Sequence, residues 1–312
     1  MNEPLLVVRS LSFAYTQQTV LNDIHLSIGS GEILGLVGAD GAGKTTLLRL
    51  AVGQLTAATG SITVLGKPTD DPALRNDIAY MPQGFGLYQD LSIEENLYFF
   101  ADLHGLVRHE AGRRIVDLLE RTGLTAFRTR RAGQLSGGMM QKLALSCALI
   151  SEPRIMFLDE PTTGVDPVSR RAFWRLLDHV RSEGVSILYA TANMDEAERC
   201  DRVALLQNGC LIRQGTPLEL ADPGVMQMVS ISGPRVRAYD ETIRRLPGVQ
   251  LVFAVGPRLH VWLENNAGVG PFVDHVAALS DRLTVEAVRP GLHDTTLRDM
   301  SLQEIKRHAT AI

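Results

Sequence analysis

The chain has 312 residues, of which 45% are hydrophobic, enough for one large or two modest domains with a sizeable core. A formal net charge of −4 gives no overall attraction for nucleic acid or anionic lipid, although it does not exclude a local basic patch. The cysteines Cys147, Cys200 and Cys210 lack metal-ligand spacing and are interpreted as reduced thiols. The first residues do not resemble a signal peptide, and no run of about 18 apolar residues occurs, so we expect no membrane span.

The first two-thirds of the chain alternate short apolar strands with amphipathic helices, which is typical of an α/β domain. Residues 32–37 form a near-continuous apolar run that predicts a buried strand leading into a glycine-rich loop. Residues 154–159 and 185–190 predict two further buried strands. Asn208 and Gly209, between two apolar runs, predict a hairpin with a type I′ turn.

Two regions depart from this alternation. Residues 91–146 show a helical pattern that begins with the capping-box residues Ser92 and Glu95, so we interpret them as a helical subdomain inserted into an α/β domain of residues 1–220. Farther along, residues 225–312 predict the order strand, helix, strand, strand, helix, strand, followed by a terminal helix. That order predicts a small α+β domain of the split-βαβ type.

The glycine-rich loop, residues 38–45, reads GADGAGKT and matches the phosphate-binding pattern G-x-x-x-x-G-K-[ST]. The predicted strand before it and helix after it disfavour the alternative, a glycine turn without a ligand. In such a loop backbone N–H groups and the helix N-terminus face phosphate, Lys44 reaches the terminal phosphates, and the Thr45 hydroxyl binds Mg²⁺. The residues predicted to bind the nucleotide here are Gly38, Asp40, Gly41, Ala42, Gly43, Lys44, Thr45 and Thr46.

Two adjacent carboxylates, Asp159 and Glu160, lie at the end of a predicted buried strand. A carboxylate in the first position can hold Mg²⁺ through water, and one beside it can position and activate water for attack on a phosphate. Such a pair alone is often only a solvated strand end. Together with the phosphate-binding loop, it favours a catalytic site.

Residues 135–139, LSGGM, resemble the signature of the ABC ATPases. With the phosphate-binding loop and the carboxylate pair in the same order, about residues 4–220 are similar to that family. The methionine after the two glycines, and residues 194–198, resemble the ABC-2 type exporters. The resemblance implies a P-loop NTPase ABC core, ATP and Mg²⁺ as cofactors, and ATP hydrolysis that powers export from the cytoplasmic face of a membrane.

The family's roles carry over to three more positions. Tyr15 matches the aromatic residue that stacks on adenine, with a packed core aromatic as the alternative. Gln83 matches the glutamine that reaches metal and water and links the core to the helical subdomain. Asp166 matches a loop that crosses the dimer interface, and a helix N-cap remains open for it. The resemblance thus implies Glu160 and Gln83 as catalytic residues and Thr45, Gln83 and Asp159 as metal ligands.

The signature residues Ser136, Gly137 and Gly138 are predicted to begin a helix, where a hydroxyl and backbone N–H groups form an anion site. In the family this surface meets the ATP held by a second subunit. The resemblance therefore implies two partners, a second ABC ATPase subunit in a homodimer or heterodimer and a membrane-spanning permease.

One position departs from the family. Ala192 lies where the family usually has a histidine that contacts the γ-phosphate, and no histidine occurs between His179 and His260. Losing a hydrogen bond to a charged group costs about 1.5–3 kcal/mol, equivalent to a roughly 10- to 150-fold slower rate. We therefore expect a weakened site here and an intact signature for a partner, as in the first ATPase half of tandem-cassette exporter subunits.

Two alternatives remain open at this point. A soluble ABC ATPase acting on ribosomes or nucleic acid is disfavoured, because the chain has neither two cassettes nor a strong basic excess, and we expect no nucleic-acid partner. A non-catalytic ATP-binding regulator is suggested by Ala192.

Overall fold

The computed structural model describes residues 3–16, 18–264 and 268–310, and the chain forms two compact units, Met1–Gln214 and Gly215–Ile312. The strands of the first unit are β1 (Leu6–Tyr15), β2 (Gln18–Ile28), β3 (Ile33–Val37), β4 (Thr59–Val64), β5 (Lys67–Pro68), β6 (Ile78–Met81), β7 (Ile155–Asp159), β8 (Ser186–Thr191), β9 (Arg202–Gln207) and β10 (Cys210–Gly215). Its α-helices are α1 (Lys44–Ala51), α2 (Ile93–Leu103), α3 (Arg108–Thr122), α4 (Gly137–Leu149), α5 (Pro167–Ser182) and α6 (Met194–Ala197).

A six-stranded sheet with the order β10-β9-β3-β8-β7-β6 forms the centre of the first unit. Its pairs from β9 through β3, β8 and β7 to β6 are parallel, and every residue of β3, β7 and β8 is buried. Because parallel strands end at the same edge of a sheet, the carboxyl ends of β3, β7 and β8 are neighbours. This edge carries the candidate site.

A second sheet has the order β2-β1-β4-β5, and its strand pairs are antiparallel. Its inward side chains and those of the six-stranded sheet share one apolar core with helix α1, which contributes Leu47 and Leu48. Because β3 and α1 are both anchored in this core, the loop that joins them is held at both ends.

Helices α2, α3 and α4 form the inserted helical subdomain around a separate apolar core that includes Leu97, Ile115 and Leu143. The predicted capping box is present: Ser92 Oγ accepts from the backbone of Glu95, and Glu95 Oε2 accepts from Ser92 N at 2.7 Å. Gly123 ends α3 in the left-handed conformation that favours glycine.

The predicted hairpin between β9 and β10 is also present. Asn208 and Gly209 have φ values of 48° and 75°, which a type I′ turn requires at both central positions. Gly209 is required for a second reason, since a Cβ there would lie 2.2 Å from the carbonyl oxygen of Val20.

The second unit contains α7 (Pro217–Leu220), β11 (Gln227–Ser232), α8 (Asp240–Arg244), β12 (Val249–Val255), β13 (Arg258–Leu263), α9 (Val269–Leu279), β14 (Thr284–Ala287) and α10 (Leu292–Thr310). Its antiparallel sheet has the order β12-β13-β11-β14, and this confirms the predicted split-βαβ fold. Helix α7 contacts α10 within this unit. Among the described residues, no helix combines the length and apolar composition that a membrane crossing needs.

Candidate functional site

The loop between β3 and α1 has a backbone that only glycine tolerates at key positions. Gly43 adopts a φ of 109°, and a Cβ there would lie 2.8 Å from Leu21 Cδ2. A Cβ on Gly38 would lie 2.3 Å from the carbonyl oxygen of Leu206. These glycines allow the loop to form a tight turn. The loop ends at the N-terminus of α1, where backbone N–H groups point out of the helix end.

The ammonium group of Lys44 lies inside this loop. Its Nζ donates to the carbonyl oxygens of Gly38 at 2.8 Å and Ala39 at 3.1 Å, and it forms an ion pair with Glu160 Oε1 at 3.0 Å. Lys44 is only 5% exposed, so its charge is held at a defined point beside the carboxyl end of β7. The predicted grouping of loop lysine and strand-end carboxylate is therefore observed in the geometry.

Asp159, the last residue of β7, is 1% exposed and receives two hydrogen bonds. Thr45 Oγ1 donates to its Oδ1 at 3.1 Å, and Tyr80 Oη donates to its Oδ2 at 3.4 Å. Burial has the largest influence and raises the pKa of Asp159; the Thr45 hydrogen bond lowers it, and the charge of Glu160 raises it. The Thr45 hydroxyl oxygen and the Asp159 carboxylate oxygens are ligands of the type that Mg²⁺ prefers.

Glu160 has an unusual backbone conformation, with a φ of 48° that non-glycine residues rarely adopt. Its N–H donates to the carbonyl oxygen of Ala190 in β8 at 2.9 Å. Two side chains approach its Oε2, Thr163 Oγ1 at 3.2 Å and Gln83 Nε2 at 3.5 Å. Gln83, Lys44 and Glu160 therefore form one cluster, although they lie far apart in sequence.

Tyr80 also belongs to this site, although no sequence motif singled it out. Burial raises the pKa of the Tyr80 phenol, and the nearby charge of Asp159 raises it further, so the hydroxyl remains a donor at neutral pH. Its position in β6, three residues before Gln83, was the available signal. A tyrosine in an otherwise apolar strand is too common in cores for that signal to identify it.

The other predicted nucleotide residues differ in exposure. Tyr15 is 42% exposed, and its ring contacts Phe13 edge-on at 4.8 Å between centroids, so it is not the packed core aromatic of the alternative interpretation. Asp40 and Gly41 are exposed in the loop, whereas Ala42 and Thr46 are buried.

The signature residues begin α4, as predicted. Ser136 is the N-cap, and its Oγ accepts from Met139 N at 3.4 Å. A Cβ on Gly138 would lie 2.4 Å from Ser169 Oγ, so α4 and α5 pack closely at this end. Within the described ranges, no hydrogen bond or ion pair joins residues 136–138 to the phosphate-binding loop, so the chain presents two separate candidate anion sites.

Asp166 is a helix N-cap. Its Oδ1 accepts from the backbone of Val168 at 2.9 Å and from that of Ser169 at 3.0 Å, and Pro167 occupies the first helical position. The N-cap that the sequence left open for Asp166 is therefore present. Hydrogen bonding to the Ser169 side chain, followed by that to the Ser169 backbone, lowers the pKa of the Asp166 carboxyl group.

Ala192 directly follows β8 and is exposed. Its neighbour Asn193 is the N-cap of α6, and its Oδ1 accepts from Asp195 N at 3.0 Å. The Asn193 side-chain oxygen is thus used within its own helix, which leaves the Asn193 amide N–H₂ group as the side-chain donor in residues 192–193. The Thr191 hydroxyl donates to Glu196 Oε2 at 2.7 Å.

The comparisons with known proteins agree with this geometry. Residues 21–163 match the family model described as ABC transporter. The chain is 36% identical over 250 residues to the Nod factor export ATP-binding protein I of Rhizobium sp. strain N33, covering 79% of this chain and 82% of that protein. The chain belongs to the family of ABC transporter ATP-binding subunits.

Two further relatives of this ABC subunit are informative. It is 43% identical over 224 residues to the probable multidrug ABC transporter ATP-binding protein YbhF of Escherichia coli strain K12, covering 70% of this chain but only 39% of that protein. The solved structure of cbiO1 from Clostridium perfringens, part of the ABC transporter complex cbiONQ, covers 79% of this chain and 97% of its own, with a TM-score of 0.65 and 30% identity. The predicted fold class is confirmed.

Proposed function

We propose that this ABC subunit binds MgATP in the loop of residues 38–45, hydrolyses it slowly, and powers a membrane exporter. The observation that carries the proposal is the buried cluster in which Lys44 Nζ lies 3.0 Å from Glu160 Oε1 and Thr45 Oγ1 lies 3.1 Å from Asp159 Oδ1. We assign the motor function to residues 1–220 and an accessory function to residues 225–312.

Each residue of the cluster has a distinct task in this proposal. Lys44 and the loop N–H groups would contact the phosphates, and Thr45 and Asp159 would hold Mg²⁺, which would neutralise charge on the phosphate oxygens. Glu160 orients and activates the attacking water, assisted by Gln83, whose amide lies 3.5 Å from Glu160 Oε2. The exposed ring of Tyr15 stacks on adenine.

The proposed rate is slow because the carboxyl end of β8 carries alanine in place of the histidine that would donate to the phosphate. The exposed Ala192 has no polar atom in its side chain, and Asn193, whose Oδ1 caps α6, has only its amide N–H₂ group left as a donor. The loss of one hydrogen bond to a charged phosphate corresponds to about 1.5–3 kcal/mol. If the missing donor abolished hydrolysis completely, the chain would be a regulator that binds ATP without turnover.

The signature at the start of α4 completes the active site of a second ABC subunit in this proposal. Ser136 and the N–H groups of Gly137 and Gly138 form a helix N-terminus suited to phosphate, and this chain's own Lys44 makes no contact with them. One weak and one strong site would then lie in a heterodimer or a tandem-like pair.

A permease contacts the cleft between the core and the helical subdomain in this proposal. A cavity of about 380 Å³ lies there, lined among others by Pro82, Phe85, Phe100 and Ala144. The exposed Tyr88, whose ring centroid lies 6.5 Å from that of the cavity-lining Phe100, adds apolar surface beside the cavity. The name of the Nod factor relative supports export, and the name of YbhF and the assembly of cbiO1 in an ABC transporter complex support a transporter partner. A position at the cytoplasmic face of a membrane is part of this proposal.

Calorimetric titration with MgATP tests the binding step. We expect the wild-type chain to bind MgATP and Lys44→Ala to lose at least about a hundredfold in affinity, because it removes two or more charged contacts to phosphate of about 1.5–3 kcal/mol each. The matched control is Lys67→Ala, on the short strand β5, which should bind as the wild type does.

Two results would contradict the proposal. One is an absence of heat on titration of the folded wild-type chain with MgATP. The other is equal affinity of wild type and Lys44→Ala. Purification of the chain from membranes together with a membrane-spanning protein tests the exporter assignment, and salt-dependent retention on RNA instead would favour a nucleic-acid function.

A further inference from the structure

Glu196 of α6 is a buried carboxylate, 2% exposed, to which the proposed reaction assigns no task. Three side chains donate to it or pair with it. Thr162 Oγ1 donates to its Oε1, Thr191 Oγ1 donates to its Oε2 at 2.7 Å, and Arg170 Nε lies 3.6 Å from its Oε1. A buried charge with this set of partners is costly to form and therefore points to a specific task.

The three partners of Glu196 come from three different parts of the first unit. Thr162 lies two residues after Glu160, and Thr191 is the last residue of β8, directly before Ala192. Arg170 lies in the first turns of α5, and its Nη2 donates to the carbonyl oxygen of Val165 at 3.4 Å. One carboxylate thereby joins the segment after the proposed catalytic glutamate to the end of β8 and to α5.

The same segment, residues 161–166, is held from its other side by the signature helix. Gln141 of α4 is fully buried, and its Nε2 donates to the carbonyl oxygen of Pro161 at 2.8 Å. Gly138 of α4 also packs against Ser169 of α5, where a Cβ would lie 2.6 Å from Ser169 Cβ. The segment therefore lies between Glu196 and the helix that begins with the signature.

We propose that Glu196 is a positioning residue that fixes residues 161–166 and so couples the chain's own phosphate site to its signature helix. The inference rests on the proposed function, since it names a residue that acts through Thr162 on Glu160 and through Arg170 on α5. It adds a physical connection between two nucleotide sites that would otherwise be independent.

The chemistry requires an acceptor at this position. An ionised carboxylate only accepts hydrogen bonds; the two threonine hydroxyls donate to it, and the Arg170 guanidinium pairs with its charge at 3.6 Å. An amide at position 196 would turn an N–H₂ group toward one of these hydroxyls and displace the hydroxyl hydrogen from its present acceptor. The Oη of the fully buried Tyr189 lies 3.3 Å from Thr162 Oγ1, and a displaced Thr162 hydrogen that turned to it would break the contact between Thr162 and residue 196.

Glu196→Gln is the primary test, with Glu198→Gln, an exposed glutamate two residues farther along the chain, as the matched control. Steady-state phosphate release is measured in chains that also carry Ala192→His, whose faster expected rate leaves room for a decrease. We expect Glu196→Gln to lower kcat by about ten- to a hundredfold through misplacement of Glu160, with KM and the calorimetric Kd for MgATP changed less than about twofold.

Hydrogen exchange of the full chain provides a second readout that needs no turnover. In the wild type we expect MgATP to slow exchange in the phosphate loop and at the start of α4. In Glu196→Gln we expect faster exchange in residues 161–166 and loss of the response in α4, with the phosphate-loop response kept. General destabilisation would instead raise exchange throughout the first unit.

Two substitutions of Thr162 test whether Glu196 acts on residues 161–166 through the Thr162 hydroxyl. Thr162→Val removes the hydroxyl at similar volume and should reproduce the Glu196→Gln exchange pattern, whereas Thr162→Ser keeps the hydroxyl and should restore the wild-type pattern. The double variant Thr162→Val, Glu196→Gln should show no further increase in exchange if both act in one network.

The outcomes separate this inference from the proposed function. If the wild type binds MgATP but Glu196→Gln leaves both the exchange of residues 161–166 and the α4 response unchanged, Glu196 is not a positioning residue and the proposed function stands. If the wild type itself does not bind MgATP, the proposed function fails first, and the inference fails with it.

Discussion

The ends of the neighbouring strands β7 and β8 differ sharply, although both strands are fully buried and pair in parallel. At the end of β7, Asp159 and Glu160 contact Thr45, Tyr80 and Lys44. Beyond the end of β8 the side chains of Ala192 and Asn193 offer no charge, and Ala192 is exposed. The end of β7 carries the groups proposed to hold a nucleotide and its metal ion, whereas the end of β8 has alanine where the family resemblance implies a histidine for the terminal phosphate.

In the proposed function this difference separates binding from turnover. The groups proposed to hold ATP are gathered around Lys44, whereas a donor missing at position 192 would affect only the reacting phosphate. The polar contact that remains at the end of β8, between Thr191 and Glu196, is buried and faces the protein interior. Substitutions at the ends of β7 and β8 can therefore be made independently. Those at β7 test the groups proposed to hold ATP and activate water, and those at β8 test the missing phosphate donor.

The largest expected effect is at the end of β7. Glu160→Gln removes the proposed base and the ion pair with Lys44, and we expect turnover to fall by about a hundredfold or more, because a positioned base contributes roughly 10²- to 10⁴-fold. MgATP affinity should fall by less than about threefold. Phosphate release measures the effect, with the exposed Glu120→Gln as the control. Unchanged turnover would remove Glu160 from the reaction.

The next effect is at the end of β8. Ala192→His supplies the missing donor, and we expect turnover to rise by roughly 10- to 150-fold with little change in MgATP affinity, since the new contact is made to the phosphate that reacts. Steady-state phosphate release of the purified chain is the measurement, and the exposed Ala126→His is the control. A fast wild-type rate that the substitution does not alter would contradict the weakened site.

The smallest effect is expected within the phosphate loop. Asp40 is exposed, so solvent and salt screen its charge from a bound phosphate. We therefore expect Asp40→Asn to raise MgATP affinity by less than about threefold, and calorimetry at two salt concentrations would measure it. A tenfold gain would mean that the Asp40 carboxylate turns toward the nucleotide and that binding, too, is weakened in this chain.

Local patterns in the sequence determined much of this protein. The phosphate loop, the capping box of Ser92 and the type I′ turn at Asn208 each depend on residues a few positions apart, whose backbone requirements are independent of the rest of the fold. The strand and helix order of the second unit followed from apolar periodicity in the same way. The positions of Lys44 and Asp159 relative to each other were inferable because the carboxyl ends of parallel strands meet at one edge.

Only the tertiary structure decided which distant side chains meet at that edge. Tyr80 contacts Asp159, and Glu196 binds Thr162, because of the order of β6, β7 and β8 in the sheet and the packing of α6 beside it. The left-handed backbone of Glu160 likewise depends on its hydrogen bond to β8. Short-range periodicity carries no information on such contacts, because they depend on strand order and helix packing. Sequences with the same local pattern can differ in both.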